Sequence, residues 1–293
     1  MTENVKVSSI LKLKTLLISA TENTISNIEN PGLLFSGGLD SSILAVLLSS
    51  LTTSPVSLLV SGTESSKDVN AARIAASILK LPIEICIFTI EELEKILPEI
   101  LAAATSIDVL QVSLAIPLFF AAKKAKELGI STLLTGQGAD ELFGGYARFE
   151  RLIIRQGQEA TIAEMKKALN ELITTTLPCQ QAVANHNNIQ LAMPYLDPGV
   201  VSFASNLPLD KKIYISKNSV TRKHILRELA KNMGLPNEII HAPKRALQYG
   251  SGTSHLLSKL AKQFWKKVNP MLSPRKASTH TRIQQFLFSL QNK

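Results

Sequence analysis

The run Leu33-Leu34-Phe35-Ser36-Gly37-Gly38-Leu39-Asp40-Ser41-Ser42 decides how this chain folds. Apolar β-formers lead into a tight Ser-Gly-Gly turn, and an apolar segment of helical length, Ile43 to Leu51, follows. That order reads as strand, phosphate loop, helix. Glycines let the backbone come close to an anion, and N–H groups at a helix start face it with roughly half a positive charge behind them. The lysine of a GxxxxGK[ST] loop is absent, so this is not a Walker loop. An ordinary glycine turn is the competing reading. An aspartate and two serines directly after a buried strand speak against it.

Working outward, three further strand-like runs precede residue 136: Val56–Val60, Ile83–Phe88 and Thr132–Leu134, after Gly32–Phe35. Helical patterns lie between and after them at Ile43–Leu51, Asp68–Leu79, Glu91–Ala104 and Val112–Leu128. Strands alternating with helices predict βαβ units, hence an α/β fold whose mostly parallel sheet has helices on both faces. Ligands in such sheets bind beyond the carboxyl ends of the strands. After Gly145 the strand signal fades. Thr161–Thr174, Gly199–Ser205, Val220–Met233 and Ser254–Trp265 read as helices of a mainly helical C-terminal part, and Asn269 to Thr281 reads as a loosely held tail. The expected division is an N-terminal helical segment (1–30), a nucleotide-binding domain (31–252) and a helical, basic extension (253–293).

Composition narrows the function classes. The chain has 293 residues, 45% hydrophobic and 19% charged, the balance of a globular protein with a full core. Its two cysteines, Cys86 and Cys179, form no CxxC pair, which speaks against a disulfide framework, a zinc site or a thiol relay. The apolar run Thr15–Ala20 is too short for a signal sequence, and no run reaches the ~18 residues of a membrane span. A cytoplasmic protein is expected. The net charge of +9 fits either a nucleic-acid surface or a site for an anionic nucleotide. With aromatics at 5% and no basic-aromatic alternation, nucleic acid is the less favoured partner.

A second constellation, Leu133-Leu134-Thr135-Gly136-Gln137-Gly138-Ala139-Asp140-Glu141-Leu142-Phe143-Gly144-Gly145-Tyr146, repeats the pattern of a strand ending in glycines with acids at a helix start. Asp140 would face Asp40 across a cleft, and two carboxylates facing a triphosphate suit magnesium. On their own, Asp140 and Glu141 read as ordinary helix N-terminal charge.

The S-G-G-x-D-S order resembles the loop of the ATP pyrophosphatase superfamily, and together the two segments resemble the synthetase domain of asparagine synthetase. Ala115-Ile116-Pro117-Leu118, Met193-Pro194-Tyr195-Leu196-Asp197, Lys223-His224-Ile225-Leu226-Arg227-Glu228, Leu235-Pro236-Asn237-Glu238-Ile239-Ile240 and Pro243-Lys244-Arg245 extend the likeness from about residue 30 to about residue 252. The resemblance implies an adenine nucleotide alpha-hydrolase-like, Rossmann-like fold. It also implies ATP and Mg2+ as the reagents of an AMP-forming ligase. A carboxylate, aspartate by default, attacks the α-phosphate to give an acyl-adenylate and pyrophosphate, and ammonia then displaces AMP. By the same resemblance Ser36, Gly37, Gly38, Ser41 and Ser42 hold pyrophosphate, and Asp40 and Asp140 hold the metal. Leu34, Val60 and Gly136 line the adenine slot, Lys244 is the catalytic cation, and Asp108 and Asp197 are candidate substrate contacts.

Departures qualify that inheritance. Gln137 stands where the family usually has a glutamate that handles the proton of amide formation, and glutamine takes no proton at neutral pH. Ser106-Ile107-Asp108 replaces an acidic segment, and Val112 falls where an aspartate is frequent. Cys179-Gln180-Gln181-Ala182-Val183-Ala184-Asn185-His186 replaces an R-D-x-x-S-M-A-H stretch, with His186 a packing histidine. There is no room before Gly32 for a glutaminase domain. Ammonia is therefore expected free or from a separate glutaminase subunit, or another amine attacks. Two alternatives stay open: a nucleotide-binding relative without amide formation, or adenylation of another substrate such as tRNA.

Overall fold

The computed structural model describes residues 3–53, 56–216, 219–242, 247–269 and 277–291. In chain order the first elements are α1 (Glu3–Ile25), β1 (Pro31–Leu34), α2 (Leu39–Leu51), β2 (Ser57–Gly62), α3 (Lys67–Leu79) and β3 (Ile83–Ile87). Next come α4 (Ile90–Ala104), α5 (Val109–Glu127), β4 (Thr132–Leu134), α6 (Ala139–Phe143) and α7 (Ala147–Glu171). A π-helical turn over Leu172–Thr176 leads into α8 (Leu177–His186), β5 (Gln190–Ala192), a 3-10 turn over Pro194–Leu196 and α9 (Pro198–Asn206). The remainder is α10 (Leu209–Lys212), β6 (Ile213–Ile215), β7 (Val220–Arg222), α11 (His224–Asn232), α12 (Asn237–Ile240), α13 (Leu247–Gly250), α14 (Thr253–Val268) and α15 (Thr279–Gln291).

Five strands form one parallel sheet in the order β3-β2-β1-β4-β5. The chain winds outward from β1 through β2 to β3, then returns to the other side of β1 for β4. The loops after β1 and β4 therefore diverge at a topological switch point, where such sheets open a crevice. Side chains along each strand alternate faces. Leu33, Leu58, Val60 and Leu134 join one core cluster with α1, α2, α3 and α11, whereas Leu59, Leu133 and Leu191 join a second with α4, α5, α8, α14 and α15. Both faces of the sheet are thus covered, as the unbroken apolar runs require.

Local chemistry sets the helix limits. Thr89 and Glu92 close a capping box on α4, Ser66 caps α3, and Asp108 caps α5. Where α14 and α15 pack, Phe264 and Phe286 lie with ring centroids 5.6 Å apart, and Trp265 of α14 is also buried. Among the described residues no single helix is long and apolar enough to cross a membrane. The apolar pair α4 and α5 is bent by 110° and contributes largely to the second core cluster.

Three segments depart from the sequence expectation. Val220–Arg222 is not helical: it pairs antiparallel with Ile213–Ile215, and the helix starts only at His224 because Lys223 adopts φ +53. Gln190–Ala192 adds a fifth strand beside β4. Of the expected loose tail, residues 270–276 lie outside the described residues, and its end from Thr279 belongs to α15, whose Ile283, Phe286 and Leu287 are buried.

Candidate active site

The loop after β1 is shaped by its glycines. Gly37 has φ +70, and a Cβ there would stand 2.6 Å from the carbonyl carbon of Ala71 and 2.8 Å from the nitrogen of Ala72. Only glycine fits both the backbone angle and that contact with α3. Gly38 then caps α2 without a side chain, so the first N–H groups of a thirteen-residue helix open toward the crevice. Ser36 Oγ lies 3.3 Å from Ser41 Oγ, and Ser41 donates to the Gly38 carbonyl at 3.2 Å. Ser42 is fully buried, and its hydroxyl has no hydrogen-bond partner among the described residues. This is a cradle of donors without a competing anion of its own, apart from Asp40.

The loop after β4 comes alongside. A Cβ on Gly136 would be 3.3 Å from Asp40 Cβ, so the two glycine-rich loops touch. Asp40 sits in the first turn of α2 and Asp140 in the first turn of α6, both turned into the space between. Lys223 enters that space from β7. It donates to Asp40 Oδ2 at 2.5 Å, and its Nζ stands 2.6 Å from Asp140 Oδ1. The lysine side chain is 5% exposed, against 16% for Asp40 and 11% for Asp140. A Cβ on Gly145 would meet the Asp140 Cγ at 2.8 Å, so the glycine is required for Asp140 and Lys223 to meet.

Surrounding groups hold this trio. Tyr195, fully buried, donates to the Asp40 carbonyl at 3.2 Å, and Tyr146 donates to Glu141 Oε1 at 2.5 Å. Burial raises the phenol of Tyr146 far above its ordinary range, helped by Glu141 and Asp140. Burial does the same to Tyr195, helped by Asp40 and Asp140. Both therefore stay neutral donors. Arg227 reaches the Arg222 carbonyl at 2.9 Å and also the Ile240 carbonyl, and burial and Arg222 push it down while Asp40 opposes.

The residues fit magnesium. Asp40 Oδ1 is buried without a hydrogen-bond partner among the described residues, and two carboxylates converge beside a cradle of N–H and hydroxyl donors. Magnesium is commonly bound by one or two carboxylates plus substrate phosphates rather than by an all-protein cage. Consistently, no cluster of three or more His, Cys, Asp or Glu ligands occurs among the described residues.

A second polar region adjoins the first. Gln137 Nε2 donates to Gln180 Oε1 at 3.0 Å, and its backbone N–H donates to Thr135 Oγ1 at 3.0 Å. Gln111, almost fully buried, donates to Thr176 Oγ1 at 3.3 Å from the π-helical turn. Asp108 Oδ1 accepts from the Gln111 N–H at 2.9 Å, so this candidate substrate acid serves as a helix cap. Asp197 does likewise, accepting from the Gly199 N–H at 2.8 Å. Neither acid has a side-chain hydrogen bond or ion pair to Asp40 or Asp140 among the described residues. Leu34 and Val60 lie at the adjoining ends of β1 and β2, with Val60 buried. His186 pairs with Glu99 at 2.9 Å, away from the crevice loops. Burial raises both thiols, Cys86 to about 11, so neither is an activated nucleophile.

Lys244 lies outside the described residues. The chain just after it is pinned to the end of β2: Thr63 N–H donates to the Ser251 carbonyl at 2.9 Å and Ser66 Oγ to the Gly250 carbonyl at 2.9 Å. A cleft of about 490 Å3 opens there, lined by Thr63, Ser66, Gly250 and Gly252 among others.

Sequence reasoning missed Lys223. It read the lysine only as part of a helix over Val220–Met233 and of the Lys223–Glu228 segment, yet a cation in a first helical turn opposes the macrodipole, and that is the signal that could have singled it out. It also missed Gln180 as the partner of Gln137.

Comparison with known proteins agrees with this geometry. A family model described as asparagine synthase matches residues 12–187 and 158–289. A putative glutamine-hydrolyzing asparagine synthetase of Methanocaldococcus jannaschii is 32% identical over 302 aligned residues, covering 91% of this chain and 55% of its own length. The asparagine synthetase of Bos taurus is 30% identical over 81% of this chain and 43% of its own length, and the root asparagine synthetase of Pisum sativum 27% identical over 76% and 40%. The chain spans about half the length of the relatives it matches.

Proposed function

The chain belongs to the asparagine synthase family, and from that membership and the paired carboxylates below the Ser36–Ser42 loop we propose that it is an ATP-dependent, AMP-forming amide ligase. The observation that carries the reading is the convergence of Asp40 and Asp140, from two loops a hundred residues apart in sequence, onto one cation beside a helix N-terminus.

In the first half-reaction a carboxylate oxygen, that of aspartate by default, attacks the α-phosphorus of ATP. The bond from that phosphorus to the α,β-bridging oxygen breaks, and pyrophosphate leaves from an acyl-adenylate. Backbone N–H groups of the Gly38–Ser42 turn and the hydroxyls of Ser36, Ser41 and Ser42 would meet the charge that accumulates on the departing phosphates. Asp40 and Asp140 would hold magnesium, which when bound neutralises part of that charge. Leu34, Val60 and the Gly136 backbone would enclose the base, and Lys244 would face the α-phosphate. In the second half-reaction ammonia or an amine adds to the acyl carbon, AMP departs with the bonding electrons, and a proton leaves the new amide nitrogen. Free ammonium is the first donor to test, with a separate glutaminase subunit as the alternative supply.

Gln137 supports a second reading, in which nucleotide binding or adenylation persists without amide formation. Its amide is engaged with Gln180 and cannot accept the proton released in the second step.

One assay separates these readings. ATP is incubated with magnesium, aspartate and ammonium, and AMP plus pyrophosphate is resolved from ADP plus phosphate. The ligase reading expects aspartate-dependent AMP and pyrophosphate, with asparagine only when ammonium is present. Pyrophosphate without asparagine would favour the second reading. Absence of AMP across a panel of carboxylic acids would overturn the first.

A further inference from the structure

Lys223 bridges the two carboxylates that would hold the metal. Its ammonium lies 2.5 Å from Asp40 Oδ2 and 2.6 Å from Asp140 Oδ1, and its side chain is the most buried of the three. The lysine is not there by chance of a long flexible stem. Its backbone is held at φ +53, between β7 and the start of α11. The preceding residue, Arg222, donates to the Gly145 carbonyl at 2.9 Å and pairs with Glu150 at 3.3 Å. Arg227 ties the Arg222 carbonyl from the other side at 2.9 Å. The ammonium is thus delivered to the pair by a fixed backbone.

A magnesium ion held by these two carboxylates would lie within a few ångströms of that ammonium. Like charges a few ångströms apart in a buried place repel strongly. A divalent ion arriving alone therefore meets a pair that a resident cation already neutralises, and binds against its repulsion or displaces it. An ion arriving with a triphosphate brings further negative charge, and both cations can then be accommodated.

We propose that Lys223 is the resident counter-cation of the Asp40–Asp140 pair, and that a divalent metal binds these carboxylates tightly only together with a nucleoside triphosphate. The proposal rests on the reading of these two aspartates as the metal-holding pair of the ligase. It assigns to Lys223 a positioning and gating part distinct from catalysis: it keeps the site closed to free divalent ions.

The test uses the full chain and Mn2+ in place of Mg2+, with free Mn2+ read by electron paramagnetic resonance and no acceptor acid present. Wild-type protein is expected to bind Mn2+ weakly alone and about tenfold or more tightly with α,β-methylene-ATP, a coupling of ordinary size. Lys223→Gln keeps a hydrogen-bond donor between the carboxylates but removes the charge. It is expected to bind Mn2+ alone about tenfold more tightly than wild type, with a smaller gain from the nucleotide. Lys223→Arg, which keeps the charge, is expected to resemble wild type. Equal Mn2+ affinity of wild type and Lys223→Gln without nucleotide overturns the proposal. So does wild-type binding that is as tight without the nucleotide as with it, an arm that needs no variant to fold. Circular dichroism melts with and without Mn2+ accompany each variant, and a larger Mn2+-induced rise in Lys223→Gln than in wild type is expected. No turnover enters these measurements. A negative metal-binding result therefore leaves the ligase reading standing, and a failed product assay leaves the metal-binding result standing.

Discussion

Lys212 is a buried amine whose cost is not offset by the crevice. It lies at the end of α10 beside Gly144, and burial pushes its pKa down to about 8 from an ordinary 10.5. Between those values the unfolded chain binds more protons than the folded one, so stability rises with pH from about 8 to about 10.5 and carries the full penalty below about 8. The shift corresponds to about 3 kcal/mol at pH 7. Lys212→Met is expected to recover most of this at pH 7 and to flatten the slope, as read by urea melts from pH 7 to pH 10. Gln137 raises a different question, of chemistry rather than stability. A positioned base contributes roughly 10²–10⁴-fold to a proton transfer. Gln137→Glu is expected to raise amide formation by about tenfold or more while changing pyrophosphate release much less, with Gln180 turning its amide to donate to the new carboxylate. Equal effects on the two half-reactions would count against the role assigned to this position.

At the scale of elements, the β6–β7 ribbon is what completes the crevice. Ile213, fully buried, packs with Phe149, Met165, Ala168 and Leu209 and against the bare Gly144. Ile213→Ala is expected to cost about 2–5 kcal/mol of stability by denaturant titration, because the cavity opens in a small satellite core. This ribbon was the least legible part of the sequence, and the reason is physical. The strands ending at Leu34, Gly62 and Leu134 are buried on both faces, so they read as apolar runs bounded by turn residues. In the ribbon, Ile213–Ile215 is an apolar run of only three residues with Tyr214 and Ile215 exposed, and its partner Val220–Arg222 is mostly polar, so no buried strand was signalled. Gln190–Ala192 is similarly short and becomes a strand only because β4 offers an edge. In the site, the glycine loops were legible because their chemistry is local, and Asp140 was singled out only through the family resemblance. Lys223 was not, because its meaning depends on a left-handed backbone and on two acids far away in sequence.

For the whole molecule, the two core clusters divide labour. One face of the sheet joins α1 to the phosphate loop, and the other joins the C-terminal helices α14 and α15 to α4 and α5. Two of the segments whose structure the sequence left unread, β5 and α15, belong to the second face. The chain holds a single tryptophan, Trp265, 8% exposed on α14, with its indole nitrogen lacking a hydrogen-bond partner among the described residues. Intrinsic fluorescence excited at the indole is therefore a reporter of the burial of α14. If the chain unfolds as one unit, the emission shift and the far-ultraviolet dichroism will trace the same curve. An earlier emission shift would mean that α14 loses its packing while the rest of the helices stay formed.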